Sequence, residues 1–333
     1  MKLRVFAGLA FGLSAPLIAQ NEPPKLSFPV DCSLGESCWI ARYVDRAPGP
    51  DRADYNCKSQ TQDKHNGIDI VLADTSVMAV GVAVQAAAAG RVIALRNGMP
   101  DIVATKERAK LIQKQGCGNV LIIGHGNGWQ TRYCHLKNDS LVVKKGDRVD
   151  AGQVIAQVGL SGLTEFPHLH FMVQRNKKDQ KIQYFDPFDG GQYGDGACTQ
   201  NNEKALAGFW GDLHAYQPAA VLPPVLSGAR RSRSTMWDPQ PMTLPTSSPA
   251  LIIQARGFHA QKDDEWRFSL ESPNGQTRQL KTIIQARDRQ RVQAFSGIKQ
   301  PKGGFMPGVW RATVELVRNG ITLGKRSTSL VLQ

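Results

Sequence analysis

Short runs of strand-forming residues broken by glycine dominate the chain from residue 65 onward and predict a mainly β protein. Ile68 to Leu72, Val82 to Ala86 and Gly90 to Leu95 come first, the last of them entered through a tight glycine turn. Asn119 to Ile123 and Trp129 to Leu136 flank Gly124-His125-Gly126-Asn127-Gly128, a hairpin signal. Val142 to Val149, Gln153 to Val158 and His168 to Val173 complete a series that implies a Gly-rich antiparallel sheet with barrel-like character. One segment breaks the pattern. Ala104 to Lys114 is made of strong helix formers and reads as a basic helix inserted between strands over residues 97 to 116.

A second strand series follows a proline-rich stretch. Seven of the chain's 19 prolines fall between 217 and 249, beside Arg230-Arg231-Ser232-Arg233, the signature of a linker. Beyond it lie Ala250 to Gly257, Trp266 to Glu271, Gln279 to Ala286, Val292 to Ser296, Trp310 to Val317 and Ile321 to Leu332, with Asn274-Gly275 and Asn319-Gly320 as turns. This predicts a small immunoglobulin-like β-sandwich. The expected division is a leader over 1–19, a lead-in over 20–64, a first β domain over 65–198, a linker over 199–249 and the sandwich over 250–333.

Composition places the chain among soluble globular proteins, with 41% hydrophobic and 21% charged residues and no internal apolar run long enough to span a bilayer. Lys2 and Arg4, an apolar core and Ala19 form a secretory signal, so the mature protein is expected to be exported to a periplasmic or extracellular space. The six cysteines form an even set for an oxidising compartment, and no C-x-x-C pair occurs. Cys32 with Cys38 and Cys117 with Cys134 are the expected partners, leaving Cys57 with Cys198, out of fifteen possible pairings. The net charge of +13 favours anionic partners, which outside the cytoplasm means wall or envelope polymers; no nucleic-acid motif is visible. From 221 to 333 there are 17 Lys/Arg against 7 Asp/Glu, so the linker and the second domain together carry most of the basic excess, the domain acting as an anion-seeking module or as a spacer.

The candidate chemistry centres on Pro167-His168-Leu169-His170-Phe171. In a strand His168 and His170 share one face, while Leu169 and Phe171 point to the other. His65 and Asp69 add an imidazole and a carboxylate, enough with the strand histidines for a catalytic zinc with three protein ligands and one open position. No H-E-x-x-H helix supplies a glutamate base.

The ordered set His65-x-x-x-Asp69, Arg132-Tyr133-Cys134-His135-Leu136 and His168-Leu169-His170-Phe171 resembles the lysostaphin/LytM-type zinc metallopeptidases, the peptidoglycan endopeptidases. Gly67-Ile68-Asp69-Ile70, Ala89-Gly90-Arg91-Val92, Gly118-Asn119-Val120, Lys145-Gly146-Asp147-Arg148-Val149 and Asp186-Pro187 extend the resemblance over roughly residues 28 to 190. It implies that His65, Asp69 and His170 bind Zn²⁺, with His168 as general base and His135 assisting at the water or the oxyanion. The implied substrate is the anionic wall polymer peptidoglycan, cut in its stem peptides or cross-links. Two other readings stand beside it: a non-catalytic member that binds wall or regulates another hydrolase, and a zinc protease acting on proteins. The sequence departs from the family at Met172, a usually acidic position on the histidine face. Oligomeric state is not legible.

Overall fold

The computed structural model describes residues 22–198, 209–210, 215–232 and 234–333; the leader expected over 1–19 lies outside them. In chain order the strands are β1 (Cys38–Arg42), β2 (Ile68–Leu72), β3 (Ala83–Gln85), β4 (Gly90–Arg96), β5 (Asn119–Gly126), β6 (Trp129–Leu136), β7 (Arg148–Val149), β8 (Val154–Gln157), β9 (His168–Arg175) and β10 (Gln183–Phe185). Then follow β11 (Ala220–Ser227), β12 (Thr243–Leu244), β13 (Ala250–Ala260), β14 (Glu265–Glu271), β15 (Thr277–Gln279), β16 (Ile283–Ile284), β17 (Arg289–Lys299), β18 (Gly308–Arg318) and β19 (Ile321–Leu332). Two six-residue helices, α1 (Thr75–Val80) and α2 (Lys106–Leu111), interrupt them.

An antiparallel sheet in the order β1-β2-β9-β6-β5-β4-β7, with β10 added to β9, forms the first unit. Alternation divides its central strands. Ile68, Ile70, Leu72, Leu169, Phe171, Val173 and Tyr133 enter the hydrophobic core, while Asp69, His168, His170, Met172 and Arg132 stand on the opposite face. That second face is closed at one end by apolar contact with the C-terminal unit. Trp39, Val71 and Phe166 pack there against Leu222, Trp237 and Phe258, and the Phe166 ring lies 5.3 Å from Trp237 and 5.4 Å from Phe258.

The C-terminal unit consists of two sheets, β11-β13-β17 and β12-β19-β18-β14-β15 with β16 on β14, enclosing one core that includes Leu251, Ile253, Trp266, Phe268 and Val314. All its pairs are antiparallel except β12 with β19. The expected linker over 199–249 is corrected here, because β11 and β12 belong to these sheets. Pro223 and Pro224 hid β11, and they sit where its register with β13 shifts between Leu222 and Val225, a position that tolerates the missing N–H. The basic helix is shorter than Ala104 to Lys114, ending at Leu111 before a 3-10 turn over Gln113–Gln115. Of the expected strand Val142 to Val149 only Arg148–Val149 forms, with Val142 to Asp147 outside any strand, and Gln279 to Ala286 is divided into β15 and β16. The lead-in is not merely tied on by cysteines, since β1 is an edge strand of the first sheet. All three expected disulfides are present, Cys32–Cys38, Cys57–Cys198 and Cys117–Cys134.

Candidate metal centre

Register builds the site. Asp69 of β2 pairs with His170 of β9, which pairs in turn with Cys134 of β6, so a loop residue, a strand carboxylate and a strand imidazole meet at one place. His65 reaches it because the chain turns tightly at Gly67. A Cβ there would lie 2.5 Å from the Phe171 carbonyl oxygen and 2.9 Å from His170 Cε1, so only glycine fits. The ligand-type atoms of His65, Asp69 and His170 all lie within 4.8 Å of one another.

Three histidine nitrogens converge on a single oxygen, Asp69 Oδ1: His170 Nδ1 at 2.7 Å, His65 Nε2 at 3.1 Å and His168 Nε2 at 3.5 Å. The tautomers follow from the other side of each ring. His65 Nδ1 is 2.8 Å from the Tyr43 carbonyl, an acceptor only, so Nδ1 carries the proton and a neutral His65 turns its Nε2 lone pair toward the carboxylate. Two acceptors then face each other across 3.1 Å, an arrangement that needs a proton or a cation between them. The donor set, two imidazoles and a carboxylate with an outer carbonyl fixing one ring, suits a zinc-type ion.

His168 and His135 are held in the same way. His168 Nδ1 donates to the Phe166 carbonyl at 2.9 Å, with Thr164 Oγ1 at 3.1 Å. His135 Nδ1 donates to the Ser161 carbonyl at 2.7 Å, and its ring centroid is 4.6 Å from that of His168. Both therefore present Nε2 lone pairs on the site side. His135 adopts the left-handed backbone (φ 59°) directly after disulfide-bonded Cys134, and its N–H donates to the Cys117 carbonyl at 2.8 Å.

Electrostatics keeps these groups in usable states. Burial opposes ionisation of Asp69, yet the surrounding His65, His168 and His170 hold its carboxyl well below the usual range. Burial pushes His135 well below the ordinary imidazole value, with like-charge repulsion from its neighbours adding to it. Burial likewise lowers His170, against its bond to Asp69. At neutral pH both rings are neutral bases.

The five residues singled out from the sequence, His65, Asp69, His135, His168 and His170, all line one cavity of about 740 Å³. Residues without a sequence signal join them. Arg42, from β1, donates to Asp69 Oδ2 at 2.8 Å and lies over the Phe166 ring. Ala104, Thr105, Lys106 and Ala109 bring the inserted segment to the cavity wall, and Ala104 N–H donates to the Thr164 carbonyl at 2.9 Å. Glu165, on the same loop, pairs with Arg291 of the C-terminal unit. His125 and His259 lie elsewhere, bonded to the Ala89 and Ala41 carbonyls.

Comparison with known proteins agrees with this geometry. The description of Peptidase family M23 matches residues 63–182. The peptidoglycan DD-endopeptidase ShyB of Vibrio cholerae serotype O1 is 50% identical over 56 residues, 17% of this chain and 13% of ShyB. ShyA of the same organism, also a peptidoglycan DD-endopeptidase, is 34% identical over 107 residues, 32% of this chain and 19% of its own. The murein hydrolase activator NlpD of Salmonella typhimurium is 28% identical over 173 residues, 52% of this chain and 37% of NlpD. The chain thus spans less than a fifth of the two endopeptidases it matches. Residues 63–182, which hold all five cavity residues singled out from the sequence, form a domain of peptidase family M23, the lysostaphin/LytM family.

Proposed function

We propose that the protein is an exported zinc-dependent endopeptidase that hydrolyses peptide bonds in peptidoglycan stem peptides or cross-links. The observation that carries this reading is the convergence of three imidazole nitrogens on Asp69 Oδ1 in the lining of one cavity. His65 Nε2, Asp69 Oδ1 and His170 Nδ1 would hold the ion. Zinc there supplies a Lewis acid for the scissile carbonyl and makes a water acidic near pH 7. The chain's own residues do the remaining work. His168 Nε2, its tautomer fixed by the Phe166 carbonyl, accepts the proton of the attacking water and returns it to the leaving amine. His135, whose Nε2 lone pair faces the site, assists by accepting a hydrogen bond from the attacking water. Arg42 holds the second oxygen of Asp69, which keeps Oδ1 turned toward the histidines.

Export is supported by the leader sequence and by three disulfides. The division into an M23 domain and an immunoglobulin-like second domain is supported by the separate cores and by the two-sheet strand order of the latter. The likeness to NlpD, named an activator, favours a second reading in which this chain binds wall without cutting it. The complete set of five site residues supports catalysis over that reading. The test is His168→Ala and His135→Ala, each purified with its zinc content measured. Hydrolysis of cross-linked muropeptides should fall by about 10²–10⁴-fold for His168→Ala with zinc retained. Full hydrolysis in a zinc-replete His168→Ala protein would refute the assignment.

A further inference from the structure

The cavity holds more cationic side chains than its own carboxylates can satisfy. Asp69 and Glu165 are the acidic residues that line it, facing Arg42, Lys106 and Arg132. Both acids are committed, Asp69 to Arg42 and the histidines and Glu165 to Arg291. Arg132 is left over. Its Nε is buried with no hydrogen-bond partner among the described residues, and no carboxylate pairs with its guanidinium. A guanidinium whose buried Nε has no acceptor is costly, so its natural complement comes from outside the chain.

Placement makes this an active-site feature. Arg132 pairs with Met172 across β6 and β9, two positions along from the Cys134–His170 pair. Side chains two residues apart share a face, so Arg132 stands beside His170, about 7 Å along the strand. Met172 is 3% exposed and offers Arg132 no carboxylate. Lys106 lines the same cavity from the inserted helix.

We propose that Arg132, with Lys106 in the same cavity, binds a free carboxylate of the substrate peptide, so that the site selects acidic over amidated stem peptides. The inference rests on the peptidase reading above. A planar guanidinium takes a carboxylate through two parallel N–H donors, and the ion next to it reinforces attraction for an anion. A peptide whose carboxylate is replaced by a primary amide keeps the shape and loses the charge-assisted pair.

The test uses two cross-linked muropeptides that differ only in whether the side-chain carboxylate beside the scissile bond is free or amidated. For the full-length wild-type protein the ratio of kcat/KM, acid over amide, should be about tenfold to a hundredfold. Arg132→Gln should bring that ratio close to one, and Arg132→Lys should restore part of it. Because the readout is a ratio within one protein, a general loss of activity does not mimic the result. A wild-type ratio near one, or an Arg132→Gln protein that keeps the wild-type ratio, overturns the proposal. Should the wild type cut neither peptide, the peptidase reading fails separately. Equilibrium binding of the same two peptides to chelator-treated protein then decides, a preference lost in Arg132→Gln supporting it and equal binding refuting it.

Discussion

Acid should loosen the C-terminal unit from the edge of the first sheet through one histidine. His259 lies at the contact between the units, 5% exposed, and its Nε2–H donates to the Ala41 carbonyl at 2.8 Å, one residue before Arg42. Burial pushes its pKa down to about 3, and Arg42, Arg318 and Arg52 push in the same direction, against the bond to Ala41. Unfolded, the same ring titrates near 6.5. The unfolded state therefore binds the extra proton between those values, so stability is full above about pH 6.5 and is lost as pH falls toward 3. At pH 4 the loss is on the order of 3 kcal/mol, from roughly 2.5 units at 1.36 kcal/mol each. His259→Asn removes the titration and keeps a residue that tolerates the left-handed backbone found there (φ 61°). At pH 7 this variant should be less stable than wild type by about 1–3 kcal/mol, for the lost bond to Ala41. By pH 4 the gap should close or reverse, measured as urea midpoints across the series. A constant gap from pH 7 to pH 4 would refute the reasoning.

Three further outcomes follow from the site. Gly67→Ala drives a methyl into the Phe171 carbonyl and the His170 ring; it should cost about 1–3 kcal/mol and lower zinc content measured by mass spectrometry, and an unchanged zinc stoichiometry and melting temperature would contradict it. Arg42→Met frees Asp69 Oδ2 and should weaken zinc binding about 10- to 100-fold in a chelator competition, with the fold retained by circular dichroism. Replacing Cys117 and Cys134 together by serine opens a 17-residue span and should lower stability by about 3 kcal/mol, with hydrolysis falling further because His135 follows Cys134.

What could be read from the sequence depended on how local the signal was. The strands from β2 to β9 are bounded by glycines and carry apolar residues in phase, so their existence was legible and the main over-reading was Val142 to Asp147. The edge strand β1 sits among cysteines and prolines, where no period shows, and β11 was hidden by Pro223-Pro224 at a register shift. The segment α1 is a single helical turn and a half started by Asp74, whose carboxylate accepts from the Ser76 and Val77 N–H groups; it is too short for periodicity to reveal. For the site, motif residues were legible because each motif is local. Arg42 was not, and Arg132, although it lies in one of the motifs, showed no role there, since only the lateral order β1-β2-β9-β6 brings both to one cavity. Nor could the pairing of Glu165 with Arg291 be seen, because it depends on how the second unit packs on the first.

The central claim is that the histidine–aspartate cluster holds zinc for peptide hydrolysis in the wall. Its most direct measurement is mass spectrometry of the products released when the purified, zinc-analysed protein is incubated with sacculi, with chelator, and with zinc restored. The account predicts that cross-linked muropeptides are converted to shorter peptides with new amino termini, that chelator stops this, and that zinc brings it back. Zinc-loaded protein that releases no chelator-sensitive product from any sacculus preparation would contradict it.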